Sequence, residues 1–330
     1  MFSRVLLAVL AVSSLAGCQV AFYGQAIRGQ AQILSKQRPV ERLLARPSTP
    51  EALKERLRTA REMVAFAADH LELPADENYT TYADLGRDYV LWSVFAAPEL
   101  SVDPISWDYP VVGSLDYRGY FSQAAAEAFA DKLRAKQLDV AIAPVPAYST
   151  LGLFDDPLLN TFLDDKPTEL ASLIFHELTH KKYYRAGDTS FSEALAVAVE
   201  REGVRRWLRH QGDSAGLADY ERRLKAVDKF VRRILETRRG LKELYESAIG
   251  DAEKLTRKQA ILSELQGEIR RLLTAAGKSP KDDFWLREPL GNAHLNAISA
   301  YYLRVPEFER LLAAKDGDLG QFFEALKGLP

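Results

Sequence analysis

His176, Glu177 and His180 stand in the order His-Glu-x-x-His. On a helix, residues four apart stack on one face, so the imidazoles at 176 and 180 can reach one metal ion. Glu177 is displaced by about 100° around such a helix. That makes it a poor ligand and a well-placed proton acceptor for water whose pKa the ion lowers to roughly 7. The pattern is the signature of zinc hydrolases. A catalytic zinc usually takes three protein ligands and keeps one position open. The longer motif with a third histidine fails, because positions 183 and 186 are Tyr and Ala. Glu193, at the start of the next apolar stretch, is the best remaining donor. Ser190-x-x-Glu193 also has the spacing of a capping box, in which Glu193 would only satisfy backbone. The ligand reading is preferred, since the site otherwise has no third donor. Glu200 lies two helical turns further on the same face, where it either supports a ligand histidine by a hydrogen bond or is solvated.

These residues need helices, and the sequence supplies them. Asp164 and Asp165 offer a cap, Pro167 suits a first turn, and Leu170, Leu173, Ile174 and Leu178 recur at helical spacing. This helix is expected to run to about Arg185 and to stop before Gly187-Asp188. A second apolar helix starts at Ser190 or Ser192. Upstream, residues 19 to about 70 read as helix, punctuated by Pro47 and Pro50. Residues 89–95 and 108–113 are strand candidates, Tyr117–Phe121 a polar-aromatic loop, and 122–136 a helix capped by Ser122. Asp139–Ala143 is a strand followed by Pro144 and Pro146, which forbid a central position and permit an edge. Such an edge could hold an extended peptide by strand addition, although a plain loop fits the same residues. Residues 216–275 carry charged residues over apolar stripes interrupted at Gly250-Asp251, the pattern of a long antiparallel helix pair. Near the C-terminus Tyr301, Tyr302 and His294, with Arg118 upstream, are candidate donors to a reaction oxyanion.

The chain has 330 residues, 47% of them hydrophobic, and a net charge of −2. It can build a full core, and it carries no basic field for nucleic acid. Arg4, the apolar run Val5–Val12 and Leu15-Ala16-Gly17-Cys18 read as a signal peptide ending in a lipobox, with residues 1–17 removed. Cys18, the one cysteine in the chain, would then be the lipidated N-terminus. Gln19 rather than Asp at the next position points to the outer membrane, facing the periplasm. A single cysteine excludes an intrachain disulfide. No other apolar run approaches the length of a membrane span, which excludes the membrane-embedded proteases that share the motif.

The chain resembles the bacterial predicted aminopeptidases, zinc-dependent lipoproteins of gluzincin type. The likeness covers nearly all of residues 18–330. It rests on Tyr23–Ala26, Tyr82–Arg87, Tyr117–Phe121, Ala147–Gly152, His176–His180, Phe191-Ser192-Glu193, Asn292-Ala293, Tyr301 and Val305-Pro306. The resemblance implies one zinc ion on His176, His180 and Glu193, with Glu177 as general base. It also implies Tyr148, Arg118 and Asn292 as substrate contacts and Tyr301 as a substrate or oxyanion contact. Ser192 stands where the family usually has Asn, so its hydrogen bond to a ligand histidine would be weaker or pass through water. The expected fold is α+β and mostly helical, a single metallopeptidase domain over 18–330. A small sheet should place its edge strand before the His-Glu-x-x-His helix, and the helical hairpin at about 216–275 is an insertion. The expected activity is peptide-bond hydrolysis, as an aminopeptidase. An endopeptidase acting on envelope proteins and a non-catalytic lipoprotein scaffold are the competing readings. The exopeptidase motif Gly-x-Met-Glu-Asn, which holds a substrate's α-ammonium in many relatives of this chemistry, is absent.

Overall fold

A computed structural model describes residues 22–75, 78–109, 113–147, 155–275 and 283–329. The proposed lipobox, Cys18 and Tyr148 lie outside the described residues. Residues 22–36 form helix α1. The helical region, expected to be punctuated at Pro47 and Pro50, breaks first at Arg38–Pro39. A short strand β1 (Arg38–Pro39) and helix α2 (Val40–Ala45) intervene before α3 (Glu51–Leu71), which starts directly after Pro50. Pro39 and Pro50 lack the N–H that a continuing helix needs, so each becomes a start rather than an interior residue.

Three small sheets follow. The first has the order β1-β2-β8, with β2 at Thr81–Ala83 and β8 at Leu158–Leu159. The second has the order β6-β3-β7 and is antiparallel throughout, with β3 at Leu91–Pro98, β6 at Arg118–Tyr120 and β7 at Leu138–Val145. The third is a hairpin of β4 (Trp107–Tyr109) and β5 (Gly113–Leu115). β7 carries Pro144 and pairs only with β3, from Leu91↔Val145 to Pro98↔Leu138, so the prolines sit at a sheet edge as expected. Tyr117–Phe121 is not a loop: its centre is strand β6, at the other edge. Helix α4 (Gln123–Arg134) packs against this sheet, and Ser122 Oγ caps it by accepting from Ala125 N–H.

Behind β8, the short helix α5 (Asn160–Leu163) leads to α6 (Pro167–Lys182), and α7 (Thr189–His210) runs back past it. Pro167 occupies the first turn of α6, but Asp164 and Asp165 do not cap it. Lys166 is the cap residue, and Asp164 instead pairs with Arg56 of α3. The helix stops at Lys182, before Arg185, because Tyr183 turns extended (φ −150°, ψ 121°), packs on Phe191 and donates its hydroxyl to Leu326 C=O. Residues 191–199 of α7, apolar apart from Ser192 and Glu193, are buried on every face, while the charged second half of the helix reaches the surface. Gly203 lets it approach α6: a Cβ there would stand 2.7 Å from Phe175 and 2.9 Å from Leu71. Gly113 (φ +76°) does the same for the β4–β5 hairpin, which lies with its backbone against that of Gly187 in the α6–α7 connection.

The long helix pair is present as α8 (Ser214–Glu246) and α9 (Asp251–Ala275). Three further helices close the fold: α10 (Asn292–Tyr302), α11 (Val305–Ala313) and α12 (Leu319–Leu326). The architecture is a mostly helical α+β fold with three small sheets. Its main core joins α3, α6, α7, α11 and α12, while a second cluster ties the hairpin to α10 through Ile234, Leu241, Leu262, Leu265 and Leu295. Among the described residues no helix is long and apolar enough to cross a membrane.

Candidate metal centre

α6 presents His176 and His180 one turn apart, and α7 presents Glu193 in its first turns. His176 Nε2 lies 3.1 Å from His180 Nε2 and 3.1 Å from Glu193 Oε2, and the third side, His180 Nε2 to Glu193 Oε2, is 3.4 Å. Three donor atoms therefore form a nearly equilateral triangle. Ligands of a tetrahedral zinc ion, each at about 2.0–2.1 Å, stand about 3.3 Å apart. The triangle fits that ion. Hydrogen bonds alone satisfy at most two of its sides and leave two donors or two lone pairs facing across the third.

The surroundings orient the donors. Glu200, two turns beyond Glu193 on α7, places Oε2 2.8 Å from His176 Nδ1 and so directs Nε2 into the triangle. The Tyr117 hydroxyl stands 3.5 Å from Glu193 Oε1, leaving Oε2 to the triangle. Glu193 is not the helix cap. Asp188 is, through Oδ1 accepting from Phe191 N–H. Burial alone would raise the Glu193 carboxyl, but the His180 and His176 imidazoles outweigh it and hold it down at about 2. Burial also opposes charge on His176, yet its bonds to Glu193 and Glu200 raise it well above the ordinary histidine range. Glu177 takes no part in the triangle. Burial raises its carboxyl, and His176 and His180 pull it partly back.

The centre opens into a cavity of about 240 Å³. Its floor is His176, Glu177, His180 and Glu193, and the sheet forms the opposite wall with Leu91 and Ser93 of β3, Gly119 of β6 and Val145 of β7. Tyr301 of α10 stacks on His176 with ring centroids 6.1 Å apart, and Tyr184 sets its ring edge to face with His180 at 6.2 Å. Burial pushes the hydroxyls of Tyr117 and Tyr301 well above the ordinary tyrosine range, and that of Tyr184 to about 12. All three remain protonated donors.

Several expected contacts lie elsewhere. Arg118 points away from the cavity, its guanidinium 3.9 Å from the ring centroid of Phe22 and 4.9 Å from that of Phe129. Strand alternation is the reason: Tyr117 and Gly119 face the centre, so Arg118 and Tyr120 face the opposite side. Asn292 is fully buried and meets no cavity. Its Nδ2 donates to the carbonyls of Pro98, Glu99 and Ser101, and its Oδ1 accepts from the Tyr245 hydroxyl. Ser192 bonds to the backbone of Arg185 rather than to a histidine. His294 is buried beside Phe284, accepts at Nδ1 from Gly291 N–H, and is lowered to about 3, chiefly by burial. Tyr302 lines a different cavity, beside Arg201. Tyr117 and Tyr184 are the residues that the sequence did not single out. The Tyr117-x-Gly119 alternation was the available signal for the first; none marks the second.

A family profile described as "Putative aminopeptidase" matches residues 21–330. The chain belongs to this aminopeptidase family. The match spans every described element, from α1 to α12. No curated protein and no solved structure gives a significant match. What the family label adds to the geometry is a reaction class, hydrolysis at a peptide bond, for a chain whose buried His176, His180 and Glu193 could hold a metal ion.

Proposed function

We propose that the protein is a zinc-dependent peptidase, with His176, His180 and Glu193 as ligands. The donor triangle carries this reading: two imidazole nitrogens and a carboxylate oxygen, 3.1–3.4 Å apart, are the donor set and spacing of a catalytic zinc with one position open. When bound, zinc supplies Lewis acidity toward the scissile carbonyl and toward water. The chain supplies the rest. Glu177, at the cavity floor, takes the proton of the attacking water and delivers it to the leaving amine. Its raised proton affinity suits that task. Glu200 and Tyr117 keep His176 and Glu193 aimed. Tyr301, whose ring lies against His176 and which lines the same cavity, is the candidate hydroxyl donor to the developing oxyanion.

Aminopeptidase activity is the form the family description supports. One observation favours the endopeptidase alternative. Among the described lining residues the only carboxylates are Glu177 and Glu193, both already engaged, so no spare acid awaits an α-ammonium. The zinc-loaded protein is tested on amino-acid amides and on peptides blocked at both ends, with metal content measured alongside. About one zinc per chain with turnover of either set supports the peptidase. A protein that binds no metal and cleaves neither set overturns it.

The same reading places the protein on the periplasmic face of the outer membrane, anchored through Cys18. Its support is the lipobox and the lone cysteine. Cys18→Ser is expected to leave the chain unprocessed or released from membranes. Unchanged processing and membrane fractionation would refute the anchor.

A further inference from the structure

We infer that the cleft beside the metal centre receives an apolar side chain of the substrate and rejects a charged one. The inference rests on the peptidase reading above and names the substrate class. Away from the floor, the described walls are hydrocarbon, aromatic ring and neutral hydroxyl. Leu91 and Val145 come from paired ends of β3 and β7, Ala147 follows, and Phe22, Tyr109 and Leu115 close the opposite side. No Lys or Arg lines the cleft among the described residues. The two arginines of this region are turned to other work: Arg118 lies over aromatic rings, and Arg87 donates to the carbonyls of Phe121 and Val90.

A charged side chain seated against these walls gives up its hydration, and the described wall residues away from the floor offer it no counter-charge, so it is refused strongly. Apolar walls also separate apolar guests by size, by roughly 10–200-fold for one methylene group. At about 240 Å³ the cleft is smaller than a typical drug-sized site of roughly 300–1,000 Å³, which suits one side chain and its flanking backbone. Leu115 is the wall residue most open to change. It is only partly buried, and it sits in the hairpin rather than in the main core. A cation introduced there would supply the missing partner for an acidic side chain.

The test uses two series, X-amides with free amines and N-acetyl-X peptides blocked at both ends, with X as Leu, Phe, Ala, Asp or Lys. In whichever series the zinc-loaded protein cleaves, Leu and Phe should exceed Asp and Lys in kcat/KM by roughly 10²-fold or more. Leu115→Lys should narrow the gap between Leu and Asp by at least about tenfold, its folding checked by thermal melting. Binding is read separately, as the Kd of the blocked Leu and Asp peptides on Glu177→Gln. Tighter binding of Leu supports the cleft assignment even if no peptide is ever cleaved, an outcome that would defeat the peptidase reading alone. Turnover of Asp or Lys peptides as fast as Leu, or equal Kd values for the two blocked peptides, would overturn the inference and leave the peptidase reading standing. An unchanged preference in folded Leu115→Lys removes Leu115 from the cleft wall and counts against the inference.

Discussion

Glu177→Gln is expected to be folded, to hold a full complement of zinc, and to have lost roughly 10²–10⁴-fold or more of its turnover. The substitution keeps the size and most of the polarity of the side chain and removes only its ability to accept a proton. The structure gives a reason to expect an undamaged fold. Glu177 makes no ion pair among the described residues, and burial already disfavours its charged form. An amide of the same size leaves the surrounding packing in place, so the melting temperature should stay close to that of the unmodified protein. Metal should stay because the donor triangle does not include position 177. Elemental analysis, melting and turnover on a verified peptide give the result in one preparation. Turnover close to that of the unmodified protein would mean that Glu177 is not the base, and the mechanism above would fall.

The second large effect is on metal retention. Glu193→Ala removes one corner of the triangle and leaves two imidazoles. Changing a residue that merely supports a ligand commonly costs about 10–100-fold in metal affinity, and removing the ligand itself should cost at least that. Helix α7 should survive, because its first turn is capped by Asp188 and its apolar face is buried by α6. The two roles once open to Glu193 thus make opposite forecasts. A cap residue would lower stability by about 1 kcal/mol and leave the zinc in place. A ligand should release zinc from a helical, cooperatively melting chain. One equivalent of tightly held zinc in purified Glu193→Ala would reject the ligand assignment.

Local periodicity made the helical part of this centre readable. His176 and His180 fall on one face by their spacing alone, and the seven-residue step from Glu193 to Glu200 already placed both on one side of α7. The long pair α8 and α9 was equally plain from its stripes. The sheet side was not. β6 has three residues, too few to show alternation, so Arg118 looked as available as its neighbours although the pleat turns it away from the cleft. Tyr117 lies just before that strand, and only the Tyr117-x-Gly119 spacing hinted at the face it shares with Gly119. Asn292 misled in another way. The family resemblance implied a substrate contact there, while its partners are carbonyls nearly two hundred positions earlier, which no local pattern announces. The boundary of α6 was overrun because Tyr183 is drawn out of the helix by Phe191 and Leu326, contacts that exist only after packing.

The Asn292 side chain also bears on how the molecule opens. One amide serves the Pro98, Glu99 and Ser101 carbonyls and the Tyr245 hydroxyl, while its backbone N–H donates to Asp139 on β7, a carboxylate that Lys258 of α9 also holds at 2.7 Å. Separating any one of the sheet, the helical hairpin or α10 strands buried partners on the other two. The interior groups of these three parts should then breathe as one unit rather than fray in turn. Native-state amide exchange would show it as a shared opening free energy across β7, the turn end of the hairpin and α10. Since α10 ends at Tyr301 and Tyr302, the hairpin that looks like an appendage helps set the rigidity of one wall of the cleft beside His176, His180 and Glu193.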